Sequence, residues 1–328
     1  MTAATPDCTI AVDRLRRARR ALLTSHRNPD GDAIGSELAL AELAAAFEVE
    51  TVIVNRDPIP ATLSRLPGVA SIRVADTLPD DFPAGFDLVV TVECPGLDRI
   101  GFDGLDRVAI LNIDHHLANP AYGEVNYLDE EAPAVGEMVW RMFRAAGIEP
   151  SPEAATNAYV ALVTDTGDFR YGNARPRAFR TAAEMVAAGA DPPIVSEWVH
   201  EGRTASSVRL LGEALATLRF GCGGRLASLQ VDPAAFARAG ADHSDTDEII
   251  NTPRTVAGVE AVLFCKQWEP GTVKVSLRSR GSVDVRKVAA SFGGGGHTNA
   301  AGCSVEGEID DVRRRLESSL TELLGADS

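Results

Sequence analysis

Two short segments of this chain concentrate groups that bind metal ions: His26-Arg27-Asn28-Pro29-Asp30-Gly31-Asp32 and Asp114-His115-His116. Carboxylate oxygens combined with imidazole nitrogens suit Mn²⁺, Mg²⁺ or Fe²⁺, whereas a structural zinc usually recruits thiolates. The cysteines, Cys8, Cys94, Cys222, Cys265 and Cys303, are scattered without C-x-x-C spacing, which suggests neither a zinc ribbon nor a disulfide framework. Two further acidic positions stand at the ends of apolar runs: Glu93, and Asp165 within Val163-Thr164-Asp165-Thr166-Gly167-Asp168. Four such segments point to a dinuclear site for hard divalent ions.

The elements that must carry these groups are legible from hydrophobic periodicity. Residues 20–25 read as a short buried strand and residues 34–47 as an amphipathic Ala/Leu-rich helix, so His26 to Asp32 form a strand-to-helix loop. In doubly wound α/β sheets such loops lie at the carboxyl edge, where ligands bind. Residues 107–113 are a strand running into Asp114, residues 86–92 a strand ending at Glu93, and an apolar Ala-rich helix precedes Asp165. Asn28 to Asp32 taken alone also fits a turn followed by a helix cap, because Asn, Pro, Asp and Gly are common turn residues.

The order H-x-x-P-D-x-D, strand-end acid, D-H-H and T-D-T-G resembles the DHH phosphoesterase superfamily. The run Phe292-Gly-Gly-Gly-Gly-His-Thr-Asn-Ala-Ala-Gly302 resembles the glycine-rich signature of its DHHA1 domain, and the pair of modules resembles the NrnA-type branch of oligoribonucleases (nanoRNases) and 3′-phosphoadenosine 5′-phosphate (pAp) phosphatases. The resemblance implies that His26 and Asp30 hold one metal, that Asp32, His115 and Asp165 hold the other, and that the strand-end acid bridges them. That acid is Glu93 here, where the family normally has Asp. The extra methylene leaves two readings open, a tolerated variant or a weakened bridge. By the same resemblance Asp114 orients a ligand imidazole and His116 faces the scissile phosphate, although the residues alone also permit a buried structural histidine at 116. Two Mn²⁺ ions, or Mg²⁺ or another divalent metal, would activate water for phosphoester hydrolysis.

Length and pattern predict two domains: an α/β domain over 1–188 with a doubly wound, mainly parallel sheet, a helical linker over 189–217, and a smaller α+β domain over 218–328. The second has β-like runs at 226–231, 259–267 and 272–277 and helices at 283–291 and 310–324. It is expected to supply specificity. Arg278, Ser279 and Arg280 follow a strand, and Gly294, Gly295, Gly296 and His297 can bring backbone amides close to a phosphate. A flexible glycine loop is the alternative.

The formal net charge of −15 argues against an electrostatic track for long duplex nucleic acid, which needs a basic face. Small anionic substrates fit this balance better, and the resemblance implies short RNA, linear or cyclic dinucleotides such as pApA and cyclic di-AMP, and pAp. A pyrophosphatase or polyphosphatase of the same superfamily and a metal-impaired nucleotide-binding regulator are the competing functions. No apolar run approaches the length of a membrane span and the N-terminus lacks a signal-like pattern, so a cytoplasmic protein is expected. The family implies a homodimer through the N-terminal domain. Trp140 is expected to pack a helix on the sheet, His200 and His243 to be ordinary surface or packing residues, and Phe169, Arg170 and Tyr171 either to approach a nucleobase or to seal the domain.

Overall fold

The computed structural model describes residues 6–326 apart from 118, 202, 247 and 248; the side chains of residues 6, 200, 297 and 326 are not among those described. The chain divides into two compact units, one up to residue 202 and one from residue 203. The boundary falls inside the expected linker, whose first helix belongs to the first unit and whose second helix belongs to the second.

The first unit runs α1 (Pro6–Arg16), β1 (Arg20–Thr24), α2 (Gly31–Ala45), β2 (Glu50–Asn55), β3 (Ile72–Val74), β4 (Leu88–Val92), β5 (Ile110–Asp114), β6 (Val125–Leu128), α3 (Val135–Ala146), α4 (Pro152–Asp165), α5 (Pro176–Ala187) and α6 (Pro192–His200). Its strands form one sheet in the order β3-β2-β1-β4-β5-β6, and every pair is parallel. The order reverses between β1 and β4, so a crevice opens at the carboxyl ends of those strands. β4 (Leu-Val-Val-Thr-Val) and β5 (Ile-Leu-Asn-Ile-Asp) are buried on both faces, as suits strands rich in Val, Ile and Leu in a covered parallel sheet. One face carries Leu23, Ile53, Val90 and Ile113 against the helices. The other carries Leu22, Val52, Val89 and Ile110, covered by Phe86, Ile100, Phe102 and Leu105 from connecting segments.

α2 differs from the amphipathic helix expected. It is buried nearly all round from Gly31 to Leu40, because α3 and α4 cover the side turned away from the sheet. A Cβ on Gly35 would lie 2.3 Å from the Asn157 carbonyl oxygen, and one on Gly31 would lie 2.4 Å from the Thr164 hydroxyl oxygen. Bare glycines therefore let α2 approach α4 closely enough to bring Asp32 toward Asp165. Trp140 of α3 is buried in the same core, with its indole N–H donating to Glu184 of α5 at 3.1 Å.

The second unit contains α7 (Ala205–Ala216), β7 (Arg219–Gly221), β8 (Leu226–Val231), α8 (Pro233–Ala239), β9 (Ala261–Lys266), β10 (Thr272–Ser279), α9 (Val285–Ser291), β11 (Gly295–His297), β12 (Ala300–Glu306) and α10 (Ile309–Ala326). Its sheet has the order β11-β12-β10-β9-β8-β7, parallel only between β8 and β9. α9 and α10 cover one face through Val285, Val312, Leu316 and Leu320. α7 and α8 cover the β8–β9 half of the other face through Leu210, Ala214 and Phe236.

Candidate metal centre

The crevice at the sheet reversal is where the sequence-derived ligands meet. His26 follows β1, Glu93 follows β4, Asp114 ends β5, and His115 and His116 come directly after it. Asp30 and Asp32 arrive from the start of α2 and Asp165 from the last residue of α4. Among the described residues three groups place one donor atom each within 4.8 Å of the others: His26 with Asp30 and Glu93, Asp32 with His115 and Asp165, and Glu93 with His115 and His116.

Asp30 is both a helix cap and a member of this cluster. Its Oδ1 accepts from the backbone N–H groups of Asp32 and Ala33 at 3.0 and 3.1 Å, so the cap and ligand readings of the loop hold together. Asp32 is wholly buried. Its Oδ2 accepts from the Val135 N–H at 2.7 Å, and its Oδ1 accepts from the Gly136 N–H and the Ser36 hydroxyl, each at 2.9 Å. The first turn of α3 is a natural seat for a carboxylate, because its N–H groups and the helix dipole both favour negative charge.

Glu93 spans the crevice with its two oxygens. Oε2 lies 2.6 Å from His26 Nε2, while Oε1 lies 3.6 Å from His115 Nε2 and 3.4 Å from His116 Nε2. Its backbone has φ +55°, a left-handed turn that a non-glycine residue adopts at a cost of roughly 1–2 kcal/mol. That turn redirects the longer side chain as it leaves β4.

His115 Nδ1 bonds to the Ala132 carbonyl oxygen at 3.0 Å, which leaves Nε2 facing the acids: Glu93 at 3.6 Å, Asp165 at 3.8 Å and Asp32 at 3.9 Å. Asp114 serves the other imidazole. Its Oδ1 meets His116 Nδ1 at 2.8 Å, and its Oδ2 accepts from Asn119 Nδ2 at 2.6 Å. Asn173 Nδ2 donates to Asp165 Oδ2 at 3.1 Å. Asn119, Asn173 and Ser36 thus position the cluster, and nothing in the sequence singled them out, because single polar residues carry no periodic or motif signal.

The donor set fits hard divalent ions. It is all oxygen and nitrogen, with the nearby Cys94 thiol buried and donating to the Gly96 carbonyl at 3.1 Å. Separations of 3.4–3.9 Å around His115 and His116 are too long for hydrogen bonds. They match donor atoms about 2.1 Å from a shared ion, which lie about 3–4 Å from one another. Electrostatics agree. Burial pushes Asp32 up and, with the neighbouring carboxylates, Asp30 and Asp165, the last to about 6. Burial also presses on His26 and His115, yet the carboxylates facing them hold them up at about 9 and about 10. Glu93, itself buried, is held down at about 2 by His115 and His26. By themselves, then, the protein groups balance crowded carboxylates with imidazolium protons, which divalent cations would displace.

In the second unit, Arg278 is half-buried on β10, with the Arg254 guanidinium near enough to add to burial in lowering its pKa. Ser279 points the other way. It is 3 % exposed, its hydroxyl donates to the Val283 carbonyl oxygen at 2.6 Å and accepts from Asn299 at 2.9 Å, so it pins the following turn. Arg280 is exposed and donates to the Arg254 carbonyl oxygen. Gly294, Gly295 and Gly296 lead into and form β11 beside β12. A Cβ at Gly294 would lie 2.2 Å from the Gly302 carbonyl oxygen, and at Gly296, where φ is +138°, 2.5 Å from that of Ala300. These glycines are a built edge strand, where a flexible loop was the alternative. The His297 side chain lies outside the described residues. Phe169 packs partly on the core of the first unit and stacks on the exposed Phe179 with centroids 5.0 Å apart, while Tyr171 is exposed.

Comparison with known proteins agrees with both modules. The DHH family N-terminal domain matches residues 20–164 and the DHHA1 domain matches residues 210–322. The chain is 33% identical over 305 residues to the bifunctional oligoribonuclease and PAP phosphatase NrnA of Thermus thermophilus, covering 92% of this chain and 89% of that one. It is 25% identical to the Bacillus subtilis protein of the same description, covering 92% and 95%. The crystal structure of an exopolyphosphatase-related protein from Bacteroides fragilis superposes with a TM-score of 0.85 at 23% identity, covering 98% of both chains, which shows a shared fold. The paired motifs, the crevice they build and these matches make the chain a member of the DHH family, in the form that carries a C-terminal DHHA1 domain.

Proposed function

We propose that the protein is a metal-dependent phosphoesterase that releases mononucleotides from short oligoribonucleotides and linear or cyclic dinucleotides, and that it dephosphorylates pAp. The observation that carries this reading is Glu93: its two oxygens face the His26–Asp30 pair on one side and His115 and His116 on the other. Bound there, a pair of divalent cations, Mn²⁺ by donor preference, would lower the pKa of a water and offset charge developing on the phosphoryl oxygens. In this reading His26 and Asp30 would hold one ion, Asp32, His115 and Asp165 would hold the other, and Glu93 would serve both. Glu93 is then a tolerated variant of the family's Asp.

The other residues act around that pair. Asp114, fixed by Asn119, keeps a proton on His116 Nδ1 and turns Nε2 toward the crevice. The His116 side chain is 40% exposed, so Nε2 can reach a phosphoryl oxygen and donate a proton. Arg278 and the backbone of Gly295 and Gly296 are the second unit's own contacts for a phosphate of the substrate. Among the described residues no helix is long and apolar enough to cross a membrane. A cytoplasmic homodimer is part of the proposal, and light scattering of the purified chain tests its oligomeric half.

A substrate panel tests the chemistry. With Mn²⁺, AMP should appear from pApA and from pAp, with pyrophosphate left intact. Hydrolysis of pyrophosphate in place of the nucleotides would favour the pyrophosphatase alternative, and tight nucleotide binding without turnover would favour a regulator.

A further inference from the structure

Among the described residues, α7 and α8 do not extend over the β10–β12 half of the face they cover, and polar residues there continue the row that holds Arg278. Side chains alternate across a sheet, and the register places Lys266, Lys274 and Ser304 side by side on the face that also carries Arg278 and Ala300. A groove of about 510 Å³ occupies this end of the sheet, lined by Lys266, Trp268, Lys274, Ser304 and the Gly293–Gly294 backbone. Its volume lies in the range of small-ligand sites, about 300–1,000 Å³.

We propose that this groove is a subsite for an additional nucleotide of single-stranded RNA, beyond the unit held at Arg278. The proposal deepens the hydrolase reading and rests on it. Lys274 is exposed, with its ammonium group 2.7 Å from the Ser304 hydroxyl, so cation and hydroxyl together present donors to a phosphate. Trp268 is half-buried and packs partly on the core under α7 and α8, with the His243 ring 5.8 Å away. A tryptophan seated in this way offers a platform on which any base can stack. Gly293 and Gly294 keep side chains out of the groove, and Gly294 is required by its close approach to Gly302.

The spacing selects for length. Lys274 and Arg278 are four residues apart on one strand, roughly 13 Å at about 3.3 Å per residue. Lys274 is tied to the Ser304 hydroxyl and Arg278 to the Leu277 carbonyl oxygen, so each cation is held over its own end of the strand and a chain with more than one phosphodiester reaches both. Two lysines and an aromatic ring on a protein of net charge −15 make a local binding track suited to a few nucleotides, where a long duplex would meet repulsion.

The test is fluorescence anisotropy of 5′-fluorescein di- and tetra-adenylate with the full chain in excess chelator, where metal-dependent turnover does not occur. The tetramer should bind about tenfold more tightly than the dimer, as one added stacked base allows. Lys274→Glu and Trp268→Ala should each remove most of that advantage and leave dimer affinity within about twofold. Lys274 is exposed, so its variant tests the idea even if Trp268→Ala disturbs the core. Equal binding of the two lengths by the unmodified chain would overturn the subsite, as would equal loss of both in the variants. Hydrolysis is scored separately: absent AMP release from pApA in Mn²⁺ sinks the hydrolase reading, and a lost length preference alone sinks only the subsite.

Discussion

Replacing Gly35 with alanine tests whether close packing of α2 on α4 sets the metal centre. Helix propensity alone favours alanine over glycine by about 1 kcal/mol, so a reading of the helix in isolation expects stabilisation. The packing argues the reverse. The new Cβ would lie 2.3 Å from the Asn157 carbonyl oxygen, against 3.4 Å or more in ordinary contact, and a backbone carbonyl inside α4 cannot rotate away. The helices must separate by roughly 1 Å, and overpacking of this kind costs about 1–3 kcal/mol. Asp32 lies one turn before Gly35 on α2 and Asp165 ends α4, so the same shift moves one carboxylate of the cluster away from the other. A misplacement of about 1 Å costs on the order of 10²-fold in rate. Steady-state AMP release from pApA in saturating Mn²⁺, together with the thermal midpoint, reads both effects. Gly212→Ala in α7, where nothing lies within 4 Å of the added Cβ, is the control and should leave activity intact. A Gly35→Ala protein with full kcat and a raised midpoint would refute the packing argument.

Three further outcomes follow from the same geometry. Glu93→Gln removes the charge that holds His26 at about 9; without metal, the His26 resonance in NMR should titrate well below that value, and Mn²⁺ affinity should fall about 10–100-fold. Because His26 is raised, its stabilising pairing is present below 6.5 and lost as pH rises through about 9, and the variant should lack that loss. Glu37, fully buried and accepting from Asn55 at 2.7 Å, is pushed by burial from 4.5 to about 8. The folded state then binds the extra proton between those values, so stability falls as pH rises across that window, by at most about 5 kcal/mol at about 1.36 kcal/mol per pH unit. Denaturant unfolding of Glu37→Gln against the unmodified chain should show the variant gaining between pH 5 and 8; parallel curves would contradict the assignment. Arg278→Ala should raise KM about tenfold, roughly 1.4 kcal/mol, with kcat nearly unchanged; unaltered kinetics on every substrate would remove Arg278 from binding.

The site was legible in the sequence to the extent that its ligands sit where hydrophobic runs stop. β1, β4 and β5 are strands with apolar cores, and His26, Glu93 and Asp114 to His116 are the metal-type residues that follow or end them. β8, at residues 226–231, also matches its apolar run. β11 and the start of β12 were not legible, because Gly295 to Gly302 has neither alternation nor bulk, and only the pairing of β12 with β10 and of β11 with β12 makes it a sheet edge. The roles of Gly31 and Gly35 were hidden for a related reason: a glycine in a helix looks like a defect until the neighbouring backbone is seen. Asn119 and Asn173 emerge only from distances, as does the choice of His116 over His115 as the partner of Asp114.

The central claim is that these side chains gather two divalent cations and use both for hydrolysis. Calorimetric titration of chelator-treated protein with Mn²⁺, with AMP release from pApA measured at each point, tests it directly. The account predicts two equivalents bound, activity that appears as the second site fills, and loss of activity on adding chelator. Hydrolysis that persists in chelator, or full activity with a single equivalent bound, would contradict it.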